Sequence, residues 1–517
     1  MTEKRRPVKP FGNRGTDRKA DGKTFSRQGN GNRPYGKPGG GKPFGNRNGG
    51  KPAGSFGKGT GRPQAVKPVK AGEEGMPARR IALRVIRQVT EQGAFASLAL
   101  DSALNGCGLI AADRRLVARL VYDTLDHLIY LDWMLHQVMA REDTDIKLRN
   151  ILRLGACQIL LEDRIPESAA TNTSVQLCVE LGMEGLKGVC NGILRNLIRK
   201  KDELVFPDPE TEPDKAASIR LSLPEWLWIR LKDSYGAEEA EKIASFRNPD
   251  EGWTIRPNLT RLDDAGMEQL LEKKVWEKEK GDLPHEWKIR GAMDIGQDAD
   301  FLGGNFSIMT AGSMMACLAM DVKRGQQVLD CCAAPGGKTC YMAEMMNGTG
   351  RVQAWDVHEH RTALIEAQAK RLGLENIRPM VRDAGKKRED LYRTMDAVLL
   401  DAPCTGLGML AEKPDIKLRV TEESTKELTA LQEKLLDTVC EYVKGGGTLV
   451  YSTCSVLPEE NEEQIEAFLA RHPEFEAADL PKSIPEKYRQ HRKLGLQLLE
   501  YRDGTEGFYL CRMKRKD

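Results

Sequence analysis

Apolar positions fall into three regimes along the chain. Residues 1–75 show no apolar period: Gly, Pro, Asn, Lys and Arg dominate, with isolated Phe11, Phe25, Tyr35, Phe44 and Phe56. Such a segment buries too little apolar area to offset chain entropy, which predicts disorder. From 77 to about 204 apolar residues recur at three- and four-residue spacing, as in Leu116/Val117, Leu120/Val121, Leu125, Leu128 and Leu131, and again in Ile151, Leu152, Leu154, Ile159 and Leu160. This period predicts an all-helical domain, with a further helix opening at Pro166-Glu167 and Asn191-Gly192 punctuating the last helical region.

A turn-rich acidic stretch, Pro207-Asp-Pro-Glu-Thr-Glu-Pro213, reads as a linker. Residues 217–300 mix short helices (237–246, 266–274) with strands around 253–258 and 287–290, which predicts a small α+β module of RRM-like type. From 301 onward apolar strands at 327–330, 351–355, 377–382, 395–400, 448–452 and 507–512 alternate with amphipathic helices, the pattern of a doubly wound, mostly parallel sheet. The expected architecture is multi-domain: a disordered tail (1–76), an all-α domain (77–205), a linker with the α+β module (206–300) and an α/β Rossmann-like domain (301–517). Ligands of such sheets sit beyond the carboxyl ends of the strands, so chemistry is expected in the loops that follow them.

Charge sharpens this division. The net charge of the 517 residues is only +3, yet residues 1–70 hold 18 Lys/Arg and 3 Asp/Glu, which leaves −12 on the remainder. A basic arm on an acidic body points to a polyanion partner. Lys-Pro-Phe-Gly-Asn-Arg occurs at 9–14 and again at 42–47. Rings spaced between cations suit single-stranded RNA, because rings stack on bases while Lys and Arg neutralise phosphates; the alternative is a solubilising tail without a ligand. No apolar run approaches the roughly 20 residues that span a bilayer, and the basic N-terminus lacks the apolar core of a secretory signal, so a cytoplasmic protein is expected. The 12 cysteines include no C-x-x-C pair, which excludes a zinc ribbon or disulfide framework; no metal is expected.

Three strand ends carry cradle-like chemistry. The loop Asp330-Cys-Cys-Ala-Ala-Pro-Gly-Gly-Lys-Thr339 joins small residues to a Gly pair before a helix, which lets backbone N–H groups approach a ligand closely. It is neither a G-x-G-x-x-G fingerprint nor a P-loop. Asp356 and Asp383 follow the next two strands, where one carboxylate can accept from ribose hydroxyls and the other from an amino group; each could instead be a solvated loop residue or a helix cap. The fourth and fifth strands release Cys404, in Asp401-Ala-Pro-Cys404, and Cys454, in Tyr451-Ser-Thr-Cys-Ser455. Pro458-Glu459-Glu460 reads as the first turn of a helix, whose N-terminus would lower the pKa of the Cys454 thiol.

These motifs, with Pro458-Glu-Glu-Asn-Glu462 and a closing Gly507-Phe-Tyr-Leu510, resemble in kind and order those of the RNA cytosine-C5 methyltransferases of the RsmB/Sun family. The 77–204 region resembles the NusB-type RNA-binding domain through Asp113-Arg114, Leu152-Arg-Leu-Gly155, Arg164-Ile-Pro-Glu167 and Asn191-Gly-Ile-Leu-Arg-Asn196. Asp126 departs from the pattern, standing where family members often carry Arg. The resemblance covers all but the tail.

The resemblance implies an S-adenosylmethionine site made by Cys332, Ala333, Ala334, Pro335, Gly336, Gly337, Lys338, Asp356, Asp383 and Asp401, with Asp356 on the ribose and Asp383 on the adenine. It implies that Cys454 is the nucleophile and that Cys404 assists its release. Asp401 would stabilise charge toward N3 of the base, and Lys338 would add positive charge near the thiols or only close the cradle. The expected reaction is methyl transfer to C5 of a cytosine through a bond from Cys454 to C6, on small-subunit ribosomal RNA, by a monomer. The alternatives are the same chemistry on tRNA or DNA, or a non-catalytic RNA-binding assembly factor.

Overall fold

The computed structural model describes residues 75–141, 143–247, 252–291, 295–489 and 493–517; the expected basic tail lies outside them except for its last two residues. The helical period resolves into Met76–Gln92, Ala96–Leu104, Ala111–Asp126, Leu128–His136, Ile146–Leu160, Glu167–Glu180 and Lys187–Lys200. Ile146–Leu160 lies at the centre and is buried almost all round, from Ile151 to Ile159. A helix apolar on every face belongs inside a bundle, and Leu83, Ile86, Leu120, Val121, Leu125, Leu177 and Leu194 close around it. Asn191-Gly192 does not interrupt the last helix. Both residues lie inside Lys187–Lys200, where packing of Cys190, Leu194 and Leu197 into the core outweighs the weak helix propensity of the pair.

Pro213 ends the linker and begins a helix, a position where its missing N–H costs nothing. Three connector helices follow, Pro213–Leu221, Glu225–Tyr235 and Ala237–Ser245. They do not belong to the α+β module expected there. Leu227, Trp228, Leu231 and Ile243 share a core with Leu407, Leu410, Val456, Leu457 and Leu499 of the C-terminal domain. Tyr235 adds a hydroxyl bond to the Val456 carbonyl at 2.5 Å.

A small antiparallel sheet comes next, made of β1 (Trp253–Pro257), β2 (Glu277–Lys280), β3 (Trp287–Arg290) and β4 (Phe306–Ile308), in the order β2-β3-β1-β4. The helix Asp264–Glu272 covers one face, setting Met267, Leu270 and Leu271 against Ile255, Trp287, Ile289 and Phe306. Because β4 pairs with β1 from Ile255↔Ile308 to Pro257↔Phe306, the expected boundary at 300 falls inside this sheet.

The C-terminal sheet contains β5 (Gln327–Asp330), β6 (Arg351–Asp356), β7 (Ile377–Val381), β8 (Met395–Asp401), β9 (Val443–Thr453), β10 (Phe475–Ala477), β11 (Leu496–Leu498) and β12 (Phe508–Arg515). Its order is β10-β12-β9-β8-β5-β6-β7, with β11 beside β12. Strands β5 to β9 are parallel; β12 pairs antiparallel with β9, and β10 and β11 each pair antiparallel with β12. The sheet is mixed and Rossmann-like, and its strand order reverses between β5 and β8, where ligands of this architecture bind.

Two ion clusters tie the parts together. Arg256 on β1 and Glu344 on the helix Gly337–Met345 are both fully buried and pair at 2.5 Å, with the guanidinium 4.1 Å from the Tyr341 ring centre. Asp126 is buried at the end of its helix and accepts from Lys417 Nζ (2.7 Å) and from Arg247 Nε (2.6 Å) and Nη2 (2.7 Å). Burial pushes its carboxyl up, but Lys417 and Arg247 outweigh burial and hold it below the usual range. This carboxylate therefore joins the helical domain to the connector helices and to the segment that follows Cys404. No helix among the described residues is long and apolar enough to cross a membrane.

Candidate active site

Strand register brings the acidic strand ends to one edge. Asp330 on β5 stands opposite Ala354 on β6 and Leu399 on β8. Asp356 and Asp401, each two residues further along, therefore leave the same edge on either side of it, because side chains two apart share a face. Asp401 stands opposite Ser452 on β9, which places Cys454 in the adjoining loop.

The loop after β5 turns tightly into the helix that follows it. Ala333 N–H donates to the Trp355 carbonyl at 2.8 Å, which pins the loop to β6. The Ala334 carbonyl accepts from Arg361 Nη2 at 3.2 Å, and the Ala334-Pro335 peptide is cis. Gly336 has φ 109°, and a Cβ there would lie 3.1 Å from the Ile365 backbone, so the tight turn requires glycine. Gly337 opens the helix Gly337–Met345, and nothing lies within 4 Å of where its Cβ would be. That open space in front of a helix N-terminus is what a ligand with a carboxylate or hydroxyls needs. Cys332 is half-buried with its thiol pushed up, chiefly by burial.

Asp330 is fully buried. Thr339 Oγ1 donates to its Oδ2 at 2.6 Å, while Oδ1 is buried and unpartnered. Burial raises the carboxyl to about 7 against the Thr339 hydrogen bond. Asp356 is also buried; it accepts from His358 N–H (3.0 Å) and lies 3.4 Å from Arg361 Nη1. Asp383 is more open and closes a turn on Gly385 N–H at 2.9 Å. An open cradle, an unpartnered carboxylate oxygen and acidic ends on adjacent strands fit a nucleoside that carries an amino acid group.

The two cysteines meet. Cys404 Sγ and Cys454 Sγ lie 3.3 Å apart, both half-buried. A carboxylate acts on each thiol, Asp401 on Cys454 and Glu460 on Cys404, but only Cys454 also feels nearby ammonium groups. The Cys454 thiol is lowered, first by its hydrogen bond with Cys404 and then by Lys338 and Lys413, against burial and Asp401. The Cys404 thiol is raised well above its ordinary value by the same bond and by burial. The helix N-terminus expected to acidify Cys454 is not the cause. Pro458–Glu460 forms a short 3-10 turn, and the helix starts only at Glu462.

Lys338 Nζ donates to Asp401 Oδ2 at 2.9 Å and lies 5.4 Å from the centre of the Phe508 ring. Burial works to lower its pKa, but Asp401 prevails and raises it. Asp401 Oδ1 accepts from Ser452 Oγ at 2.7 Å. Both oxygens of Asp401 are thus engaged, and Lys338 presents the positive charge. Gly408 completes the geometry, since its N–H donates to the Cys454 carbonyl at 2.9 Å and a Cβ there would collide with the Gly507 carbonyl.

Beneath the cysteines lies a layer that sequence reasoning missed. The Glu460 carboxylate accepts from Thr405 N–H (2.9 Å), Thr405 Oγ1 (2.5 Å), Gln432 Nε2 (3.0 Å) and Ser455 Oγ. The available signal is Pro458-Glu-Glu-Asn-Glu462 itself, which the sequence presents as a helix start and a family motif without assigning its glutamates a role.

Comparison with known proteins agrees with this geometry. Residues 317–514 match the family described as 16S rRNA methyltransferase RsmB/F, and residues 76–199 match the NusB family. A Bacillus subtilis protein described as a probable ribosomal RNA small subunit methyltransferase B is 35% identical over 442 residues, covering 85% of this chain and 98% of the relative. The crystal structure of PH0851 superposes with a TM-score of 0.73 at 26% identity, covering 85% of this chain and 99% of that one. The structure of NSun6 from Pyrococcus horikoshii, solved with the S-adenosylmethionine analogue SFG, shares the fold at 21% identity and a TM-score of 0.51, over 57% of this chain and 98% of that one. With a NusB-type helical domain, a methyltransferase sheet and a relative matched over nearly its whole length, the chain belongs to the RsmB/F family of 16S rRNA methyltransferases.

Proposed function

We propose that this chain methylates C5 of a cytosine in small-subunit ribosomal RNA through a transient bond between Cys454 Sγ and C6 of the base. The observation that carries this reading is the Cys404–Cys454 pair, its sulfurs 3.3 Å apart at the strand end that also holds the Lys338–Asp401 ion pair. C5 of cytosine is a poor nucleophile, and addition of a thiolate at C6 gives it enamine character. Cys454 suits the addition because its hydrogen bond with Cys404, helped by Lys338, favours its anion against burial and Asp401. S-adenosylmethionine, when bound in the cradle from Cys332 to Lys338 with Asp356 and Asp383, supplies the electrophilic methyl group. Its ribose hydroxyls suit Asp356, and Asp383 is the carboxylate available to an amino group.

Lys338 keeps its proton and, held by Asp401, presents positive charge where the base gains negative charge. Cys404 starts as the protonated partner, and once Cys454 is bonded to C6 the Cys404 proton passes to solvent. The Cys404 thiolate then accepts the C5 proton, the C5–H electron pair restores the C5–C6 double bond, and the C6–S bond breaks so that Cys454 leaves as thiolate. The target base must leave its stack to be reached, which favours single-stranded or flipped-out cytosine. The NusB-type domain and the basic tail supply RNA contacts.

Bisulfite sequencing of RNA from a deletion strain tests the substrate. One cytosine of small-subunit ribosomal RNA is expected to lose protection and to regain it with the wild-type gene but not with Cys454→Ala. An unchanged ribosomal pattern with a lost tRNA signal would redirect the reading to tRNA. For the cofactor, Asp356→Ala is expected to weaken S-adenosylmethionine binding by about 10- to 100-fold, the worth of hydrogen bonds to a charged group. Titration calorimetry on the full chain reads this directly, and unchanged affinity removes Asp356 from the site.

A further inference from the structure

Neither cysteine is held by its own side chain alone, because each sits in a loop whose next residue is tied to one buried carboxylate. Glu460 is fully buried. Its Oε1 accepts from Thr405 N–H at 2.9 Å and Gln432 Nε2 at 3.0 Å, and its Oε2 accepts from Thr405 Oγ1 at 2.5 Å and from Ser455 Oγ. Thr405 follows Cys404 and Ser455 follows Cys454, and their hydroxyls lie 3.1 Å apart. Gln432 Nε2 also donates to the Pro403 carbonyl at 2.9 Å, so the Cys404 loop is clasped on both sides of its sulfur. The clamp has a fixed base, since Tyr451 on β9 donates its hydroxyl to the Glu460 carbonyl at 2.6 Å.

From this arrangement we infer that Glu460 is a positioning residue: its carboxylate sets the separation and relative orientation of the Cys404 and Cys454 sulfurs by holding the backbone that follows each of them. The inference rests on the proposed role of the two cysteines as the reacting pair. A carboxylate is suited to the task because it can only accept, and all of its neighbours here are donors. Thr405, Gln432 and Ser455 would otherwise be buried donors competing for the thiols. In its place Gln offers an N–H₂ group to at least one donor, and that clash separates the loops without removing volume. Glu460 is fully buried and its carboxylate is bonded to protein donors on the two loops, so its effect should reach the reaction only through the sulfur pair.

The test uses the full chain and two measurements. The first is the equilibrium between the two thiols and the cyclic disulfide of dithiothreitol. Cys404 and Cys454 lose two electrons and two protons as their S–S bond forms, and the reagent gains them as its own S–S bond opens. The second is the kinetics of methyl transfer. Glu460→Gln is expected to lower the disulfide equilibrium constant at least tenfold and kcat by about 10²-fold, the usual cost of a misplacement of about 1 Å, with KM for RNA and affinity for S-adenosylmethionine unchanged. Thr405→Val, which removes one donor of the clamp and keeps the volume, should move both readouts in the same direction by a smaller factor, and it decides the matter if Glu460→Gln fails to fold. A wild-type disulfide constant in a folded variant overturns the inference, whether or not kcat falls. Because that constant does not depend on turnover, it separates the two failures: full turnover by Cys454→Ala would sink the role of the cysteines and leave the clamp standing as geometry.

Discussion

Cys454→Ala is expected to reduce methyl transfer by a factor on the order of 10⁴ or more, the scale on which loss of a covalent nucleophile is felt, while leaving RNA and cofactor affinity intact. Cys404→Ala is expected to behave differently. Addition to C6 and methylation of C5 still proceed, but release stalls, so a protein–RNA adduct survives denaturing electrophoresis. The structure adds a pH dependence. The hydrogen bond from Cys404 is the largest influence lowering the Cys454 thiol, so its loss raises that thiol. Adduct formation by Cys404→Ala should therefore be slow near neutrality and recover as pH rises, whereas wild type reaches its plateau at lower pH. Quenched single turnovers across pH, resolved by gel, measure both effects. Turnover by Cys454→Ala at the wild-type rate, or a Cys404→Ala variant that releases product normally, contradicts the assignment.

The second large effect concerns stability. Arg256 and Glu344 have side chains with no solvent exposure, and Glu344 also accepts from Leu259 N–H at 3.0 Å. Burial would lower the Arg256 pKa, but Glu344 prevails, so the guanidinium keeps its charge in a dry setting. Glu344→Ala leaves that charge without its partner and should cost about 3 to 5 kcal/mol, the range for breaking a buried ion pair from one side. Replacing both residues, as in Arg256→Met with Glu344→Leu, should recover most of the loss, because an apolar pair of similar volume often substitutes for a buried ion pair. Urea denaturation of the single and double variants gives the comparison. If the losses simply add, the two residues do not act as a pair. Glu344 lies on the helix that begins at Gly337, so the single variant should also loosen the cofactor cradle before global unfolding.

Much of the C-terminal domain was legible because its parallel strands are short apolar runs ending at residues with distinctive chemistry. Motif order singles out Asp401, Cys404 and Cys454 as candidates without any contact information, and the fold brings Cys404 and Cys454 within 3.3 Å of each other. Other features were hidden for physical reasons. Strand β2 reads Glu-Lys-Glu-Lys and is exposed throughout, so no apolar alternation could reveal it; it exists because β3 offers a free edge. Sequence order groups the helix at 237–246 with the small module, whereas the apolar faces of the connector helices complete a core with the loops after Cys404 and Cys454. Glu460 was visible only as an acidic residue near a helix start. Its meaning depends on Thr405, 55 positions away, and no local pattern encodes that pairing. The acidification of Cys454 was anticipated in sign but assigned to a helix N-terminus, because a contact between thiols 50 residues apart leaves no trace in spacing.

The carboxylate of Asp126 bears on how freely the family's parts can be exchanged. Lys417 and Arg247 converge on it from the catalytic domain and the connector, and the Lys417 side chain is 3% exposed. A chimaera that grafted a relative's helical domain with Arg at this position would bring three cations together where two now share one anion, in a site with little water to screen them. The NusB-type and methyltransferase domains thus meet across a charged joint, and a viable transplant would have to carry the connector and the residues around Lys417 with it.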